Sequence, residues 1–215
     1  MKRVLLVVCC LAAVLTAGAQ TARDIGMRHQ VRVGWGDAIF ESIAFSNTSP
    51  HKYANPGSLP ETFSVQERYN SACTGHFFAE YQYRTSRVVR IGVQLDVEGI
   101  FWQEGHFDRY HNLIGTGKKV RNYNIVAMPT VRFSYLNTRV VSLYSGAGAG
   151  LLVALDNAGG SALSPAFNLN LVGVQLGSGH WSGSMELGFM AALSGTNKVY
   201  MLGSRLVSIS LNYAW

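Results

Sequence analysis

The chain has 215 residues, enough for one domain with a sizeable core. Only 14% of them are charged and mean hydropathy is above zero, which excludes a disordered, highly charged polymer. The formal charge of +6 is a mild basic excess and calls for no nucleic-acid partner.

Residues 1–19 read as a signal peptide. Lys2 and Arg3 make a basic start, Val4 to Thr16 an uncharged apolar run, and Ala17-Gly18-Ala19 a small-x-small cleavage site before Gln20. A spanning helix would need a longer apolar run. Cys9 and Cys10 lie inside that run without a lipobox before them. Cleavage leaves residues 20–215 as one domain, in which Cys73 is the sole cysteine and so makes no internal disulfide.

No later stretch has about twenty consecutive apolar residues, which excludes a helical membrane protein. Eight segments with a period of two recur instead. The first, Met27 to Gly36, sets Val31, Val33 and Trp35 against Arg32 and Gly34. In the second, Thr74 to Arg84, Phe77, Ala79, Tyr81 and Tyr83 oppose His76, Glu80 and Gln82. The third, Val88 to Gln103, is the most regular, with Val89, Ile91, Val93, Leu95 and Val97 against Arg90, Gln94, Asp96 and Glu98. The fourth, Val120 to Leu136, sets Tyr123, Ile125, Val131 and Phe133 against Asn122, Asn124, Thr130 and Arg132. Pro129 interrupts it and predicts a bulge at Met128-Pro129, since a closed sheet has no edge to hide a proline.

The fifth segment, Arg139 to Leu155, carries Val141, Leu143, Leu151 and Val153 against Ser142, Gly146, Gly148 and Gly150. These glycines lie within a strand, so they make no phosphate loop and instead leave room for large inward side chains. In the sixth, Ser164 to Leu176, the apolar phase switches from Phe167, Leu169 and Leu171 to Val172, Val174 and Leu176, which predicts a bulge near Gly173. The seventh, Trp181 to Leu193, sets Met185, Leu187 and Phe189 against Ser182, Ser184 and Glu186. The eighth runs from about Tyr200 and ends with Val207, Ile209, Leu211, Tyr213 and Trp215 alternating with Ser208, Ser210, Asn212 and Ala214.

The connections at 84–87, 136–139 and 177–180 are hairpin-sized, whereas those at 37–72, 104–119, 156–163 and 194–199 are longer. Within 37–45, two readings stay open: a short amphipathic helix capped by Asp37, or an extension of the first strand. Short turns on one rim and long loops on the other predict an all-β, eight-stranded antiparallel up-and-down transmembrane β-barrel. Its polar faces would enclose a lumen network of Arg32, Glu80, Arg90, Asp96, Glu98, Arg132 and Glu186, while the nearly uncharged faces meet lipid. Tyr81, Tyr83, Tyr135, Tyr213 and Trp215 form one expected aromatic girdle, and Trp35 and Phe101 belong to the other.

With these segments, the rim asymmetry and the aromatic end of the last strand, the chain resembles the small OmpA/OmpX-type outer-membrane barrels. The Ala19-Gln20 step and the glycine-rich strands are similar to the Bacteroidetes versions. The resemblance implies a monomer in the cell outer membrane, in contact with membrane lipid and lipopolysaccharide. It also implies that Tyr213 and Trp215 serve as the signal read by the barrel-assembly machinery.

No catalytic residue, cofactor or metal is assigned. His180-Trp181-Ser182 is similar to the His-x-Ser of outer-membrane lipid A deacylases, but here Ser182 faces the expected lumen and His180 a turn. His106, Asp108 and His111 are metal-capable but lack zinc-site spacing, and His51 would join them only by chance. The expected role is therefore a non-enzymatic structural or surface-interaction barrel with a filled polar lumen. The alternatives are a deacylase-like enzyme and a narrow pore.

Overall fold

Alternation puts successive side chains on opposite faces of a strand, and it governs most of this molecule. The computed structural model describes residues 27–37, 60–62, 64–138, 140–157, 161–193, 199–200 and 206–215. The expected signal peptide, the 38–45 part of the first loop and His51 lie outside the described residues.

The chain forms β1 (His29–Gly36), β2 (Ser64–Arg84), β3 (Val89–Asp108), β4 (Leu113–Asn137), β5 (Val141–Asp156), β6 (Ser161–Leu176), β7 (Trp181–Leu193), β8 (Val199–Tyr200) and β9 (Val207–Ala214). They make one antiparallel sheet. From β1 to β7 each strand pairs with the next, and β9 pairs with both β7 and β1, so eight strands close into a ring. The two-residue β8 pairs with the far end of β7. The closing seam matches Val31 with Tyr213, Val33 with Leu211 and Trp35 with Ile209. Closure matters because an open edge lined by these apolar residues would invite aggregation.

Two strand features follow the phase of the sequence. β6 has an extra residue between Asn170 and Val172, so Leu171 and Val172 both face outward before alternation resumes. This is the bulge expected near Gly173. Within β5, glycine gives space to its neighbours: a Cβ at Gly148 would meet Met128, and one at Gly173 on β6 would meet the Tyr144 ring.

Three expectations need correction. Pro129 makes no bulge. It pairs with Val93 in unbroken register, and the pairing to β5 runs from Ala127↔Leu151 to Thr130↔Gly148 without a shift. A missing amide proton removes a ladder hydrogen bond but need not insert a residue.

Second, the 64–72 end of the expected loop at 37–72 and most of the one at 104–119 are strand. β2, β3 and β4 run 21, 20 and 25 residues and continue past the ring as a three-stranded ribbon. Its ladder includes Ser64↔Asp108 and His106↔Gly115. The apolar period fades there because the ribbon has no single face against a core. β2 adjusts to β3 through two bulges, marked by left-handed Asn70 (φ 50°) and Gly75 (φ 75°).

Third, the interior is not uniformly polar. Val126, Met128, Leu152, Ala166, Met190 and Ala192 form a buried apolar cluster inside the ring. They fall on the same alternate positions as the inward polar residues of their strands.

Candidate functional site

Inward positions of β1, β2, β4, β7 and β9 bring their polar side chains to one point inside the ring. Arg32 lies beside Glu80 on β2 and Asn212 on β9 because it is the cross-strand partner of both. Its guanidinium donates to Glu80 Oε2 at 2.5 Å and Glu186 Oε1 at 2.5 Å, and its Nε donates to Asn212 Oδ1 at 3.0 Å. Arg132 reaches Glu186 Oε1 at 3.1 Å and stands 3.8 Å from Glu80 Oε2. Two guanidinium groups and two carboxylates therefore balance in charge. Every one of these four residues is at least 95% buried. Buried ions need this kind of pairing, since isolated burial costs several kcal/mol per ion, to order of magnitude.

Neutral groups complete the network. The Tyr144 hydroxyl donates to Glu186 Oε1 at 2.8 Å, and the Arg132 guanidinium lies 3.8 Å from the centre of the Tyr144 ring. Thr130 donates to Glu80 Oε1 at 2.6 Å. Glu186 Oε2 accepts from Asn170 at 3.2 Å and Ser208 at 3.3 Å. Asn212 Nδ2 donates to the Ser182 carbonyl at 3.1 Å.

The seven charged residues singled out from the sequence divide into three groups. Arg32, Glu80, Arg132 and Glu186 form the centre just described. Asp96 and Glu98 lie in a second buried group around His76, whose Nδ1 is 2.9 Å from Asp96 Oδ1 and whose Nε2 is 3.8 Å from Glu98 Oε1. Asn124 donates to Glu98 Oε2 at 3.0 Å. Arg90 stands apart near the short-turn rim, where it donates to Gln30 Oε1.

Sequence reasoning left out Tyr144, which is fully buried, and Asn212. The available signal was phase alone, because Tyr144 shares its face with Ser142 and Gly146.

His180 and Ser182 are not brought together. His180 is exposed and its Nδ1 is 2.8 Å from the Ala214 carbonyl oxygen, whereas Ser182 is buried and accepts from Gln175 Nε2 at 2.7 Å. Of the metal-capable residues, Asp108 and His111 are engaged otherwise. The Asp108 carboxylate accepts from Asn112 Nδ2 at 3.0 Å, Asn112 N at 2.8 Å and Tyr110 N at 2.9 Å. Those bonds, the Asn112 side chain's first, hold its pKa below the usual carboxylate range. The His111 ring stacks on Phe107 at 4.6 Å. Among the described residues no three His, Cys, Asp or Glu side chains converge as metal ligands.

At the short-turn rim, Tyr81, Tyr83, Tyr213 and Trp215 of the expected girdle cluster with His29 and Trp181. Trp215 stacks on His29 at 5.7 Å and on Tyr213 at 5.8 Å, and Tyr213 meets Trp181 at 4.9 Å. His29 N donates to Trp215 O at 3.1 Å, tying this cluster to the ring's seam. A scan of protein-family models matches none of them to this chain, and a search of curated proteins finds no match.

Proposed function

We propose that the chain is an integral barrel of the bacterial outer membrane, non-enzymatic and monomeric, with a plugged interior that is polar at its charged centre and apolar around Met128 and Met190. Its role is structural or surface-interacting, through the ribbon and loops on the long rim. One observation carries this reading: the molecule is inverted relative to a water-soluble one. Val33, Ile209 and Leu211 are 59%, 56% and 57% exposed, while Arg32 beside them is 1% exposed. Along the ring the outward described positions are apolar, aromatic or small, with no Asp, Glu, Lys or Arg between Val89 and Val97, Ile125 and Tyr135, or Val207 and Tyr213. A Lys or Arg at bilayer depth on that face would cost about 2–4 kcal/mol, so lipid contact accounts for their exclusion. In water the same face would be a single apolar belt around the molecule.

The aromatic cluster at the short-turn rim supports an interfacial position for that end. A plugged interior follows from the neutralised Arg–Glu centre and the buried Met128 and Tyr144 side chains. The test is refolding into phosphatidylcholine vesicles. Expected are a heat-modifiable band on gels, protease protection of the ring strands, and no steady conductance in planar bilayers. Failure to insert overturns the membrane reading, and large steady channels overturn the plugged interior.

A further inference from the structure

Above the apolar belt, the outward face of β3–β5 changes its chemistry in steps. Val97 and Ile125 are cross-strand partners within the belt. Toward the ribbon, Phe101 and Tyr123 meet edge to face with ring centres 5.8 Å apart. Next in the same register come Arg121, opposite Phe101, and Lys119, opposite Gln103. Both cations are exposed, and neither has an ion-pair partner among the described side chains.

Their backbone is held in place. Asn157 Nδ2 donates to the Lys119 carbonyl at 3.0 Å, and Asn157 N donates to the Arg121 carbonyl at 3.1 Å. Asn70 and Gln103 line the same open groove and add amide groups to it. The order along this face is thus apolar belt, aromatic pair, then two exposed cations. A free anion would need only the cations. An amphiphile with acyl chains below and phosphate above uses all three levels.

We propose that this groove binds the phosphorylated headgroup of an outer-leaflet glycolipid. Its phosphates pair with Arg121 and Lys119, its sugar hydroxyls meet Gln103 and Asn70, and its acyl chains lie along Leu95, Val97 and Leu155. The proposal rests on the outer-membrane reading above. Arg121 supplies a forked donor for a phosphate and Lys119 a compact point charge.

The test titrates detergent-folded protein with fluorescent diphosphoryl lipid A. Removing both charges in K119Q/R121Q is expected to weaken binding about thirtyfold, from the usual contribution of a basic residue near an anionic lipid surface. K118Q makes the same kind of charge change on the other face of the ribbon and is expected to bind like wild type. Dephosphorylated lipid A is expected to bind all three proteins alike. Equal binding of diphosphoryl lipid A by wild type and K119Q/R121Q overturns the proposal, as does an equal loss in K118Q. Full competition by inorganic phosphate also overturns it, by reducing the groove to a free-anion site. Insertion of all three proteins into phosphatidylcholine vesicles is scored in parallel. If they insert but do not discriminate between the lipids, this proposal alone falls; if wild type does not insert, the outer-membrane reading falls with it.

Discussion

Without Glu186, two buried guanidinium groups would be left with one carboxylate, Glu80, and the Tyr144 hydroxyl would lose its acceptor. Arg32, Arg132 and Tyr144 all converge on its Oε1 atom. Glu186→Gln keeps the side-chain volume but leaves an uncompensated buried cation, a change that costs about 3–5 kcal/mol. Tyr144→Phe removes one hydroxyl from the same acceptor and keeps the ring beneath Arg132, so it costs about 1–3 kcal/mol. Urea unfolding in vesicles, followed by tryptophan fluorescence, checks both. Equal midpoints for wild type and Glu186→Gln would show that the charge centre adds nothing to stability. The four charged members of this centre were legible in the sequence, since each lies on the polar side of an alternating strand. Tyr144 was not, because an aromatic residue fits either side of such a strand and only its parity marks it as inward. The separation of Asp96 and Glu98 from the centre was hidden too. It is set by the register of β2 and β3, in which Asp96 and Glu98 pair with Phe78 and His76 rather than with Glu80, and register leaves no trace in the composition of either strand.

Turns and bulges decide where each element ends. At the tip of the β3–β4 hairpin, Asp108 ties down Tyr110 and Asn112, and His111 takes a left-handed φ of 64°. The folded pKa of Asp108 is depressed, so its contribution to the turn is present above the unfolded value, about 3.9, and is lost as pH falls through the lower folded value. The amide resonances of Tyr110 and Asn112 are therefore expected to hold still from neutral pH down to the ordinary carboxylate range and to move together below it. Movement centred at or above that range would contradict the assignment. On β6, Gly173→Val drives a branched side chain into the Tyr144 ring, with an expected cost of about 1–3 kcal/mol and a shifted Tyr144 environment in near-ultraviolet dichroism. An unchanged spectrum and midpoint would mean that the ring has room to move. Strand number, the short turns, the seam and the β6 bulge could all be read from the sequence, because each leaves a period or a phase jump. The ribbon could not, because with few buried contacts its strands are held by backbone pairing, which any side-chain sequence can make.

At the scale of the whole molecule, the seam and the aromatic rim coincide. Trp215 and Tyr213 pair β9 with β1, where Trp215 stacks on His29, and on the opposite side Tyr213 meets Trp181 of β7. Replacing both with Ser keeps the backbone ladder but removes the amphipathic rings from the short-turn end. Two roles for these rings make different predictions. If they serve only as interfacial anchors, the double variant loses heat-modifiable folded protein both in refolding into vesicles and in outer-membrane fractions of a Gram-negative host. If they are also read by the assembly machinery, the loss in cells exceeds the loss in vesicles, because only cells contain the reader. Leu211→Ser supplies the comparison. It changes an exposed seam residue opposite Val33, within the apolar belt and away from the aromatic rim, so its defect is expected to be similar in both settings. A Tyr213/Trp215 variant that accumulates in the outer membrane at wild-type level would contradict both roles, and with them the claim that this rim lies at a membrane interface.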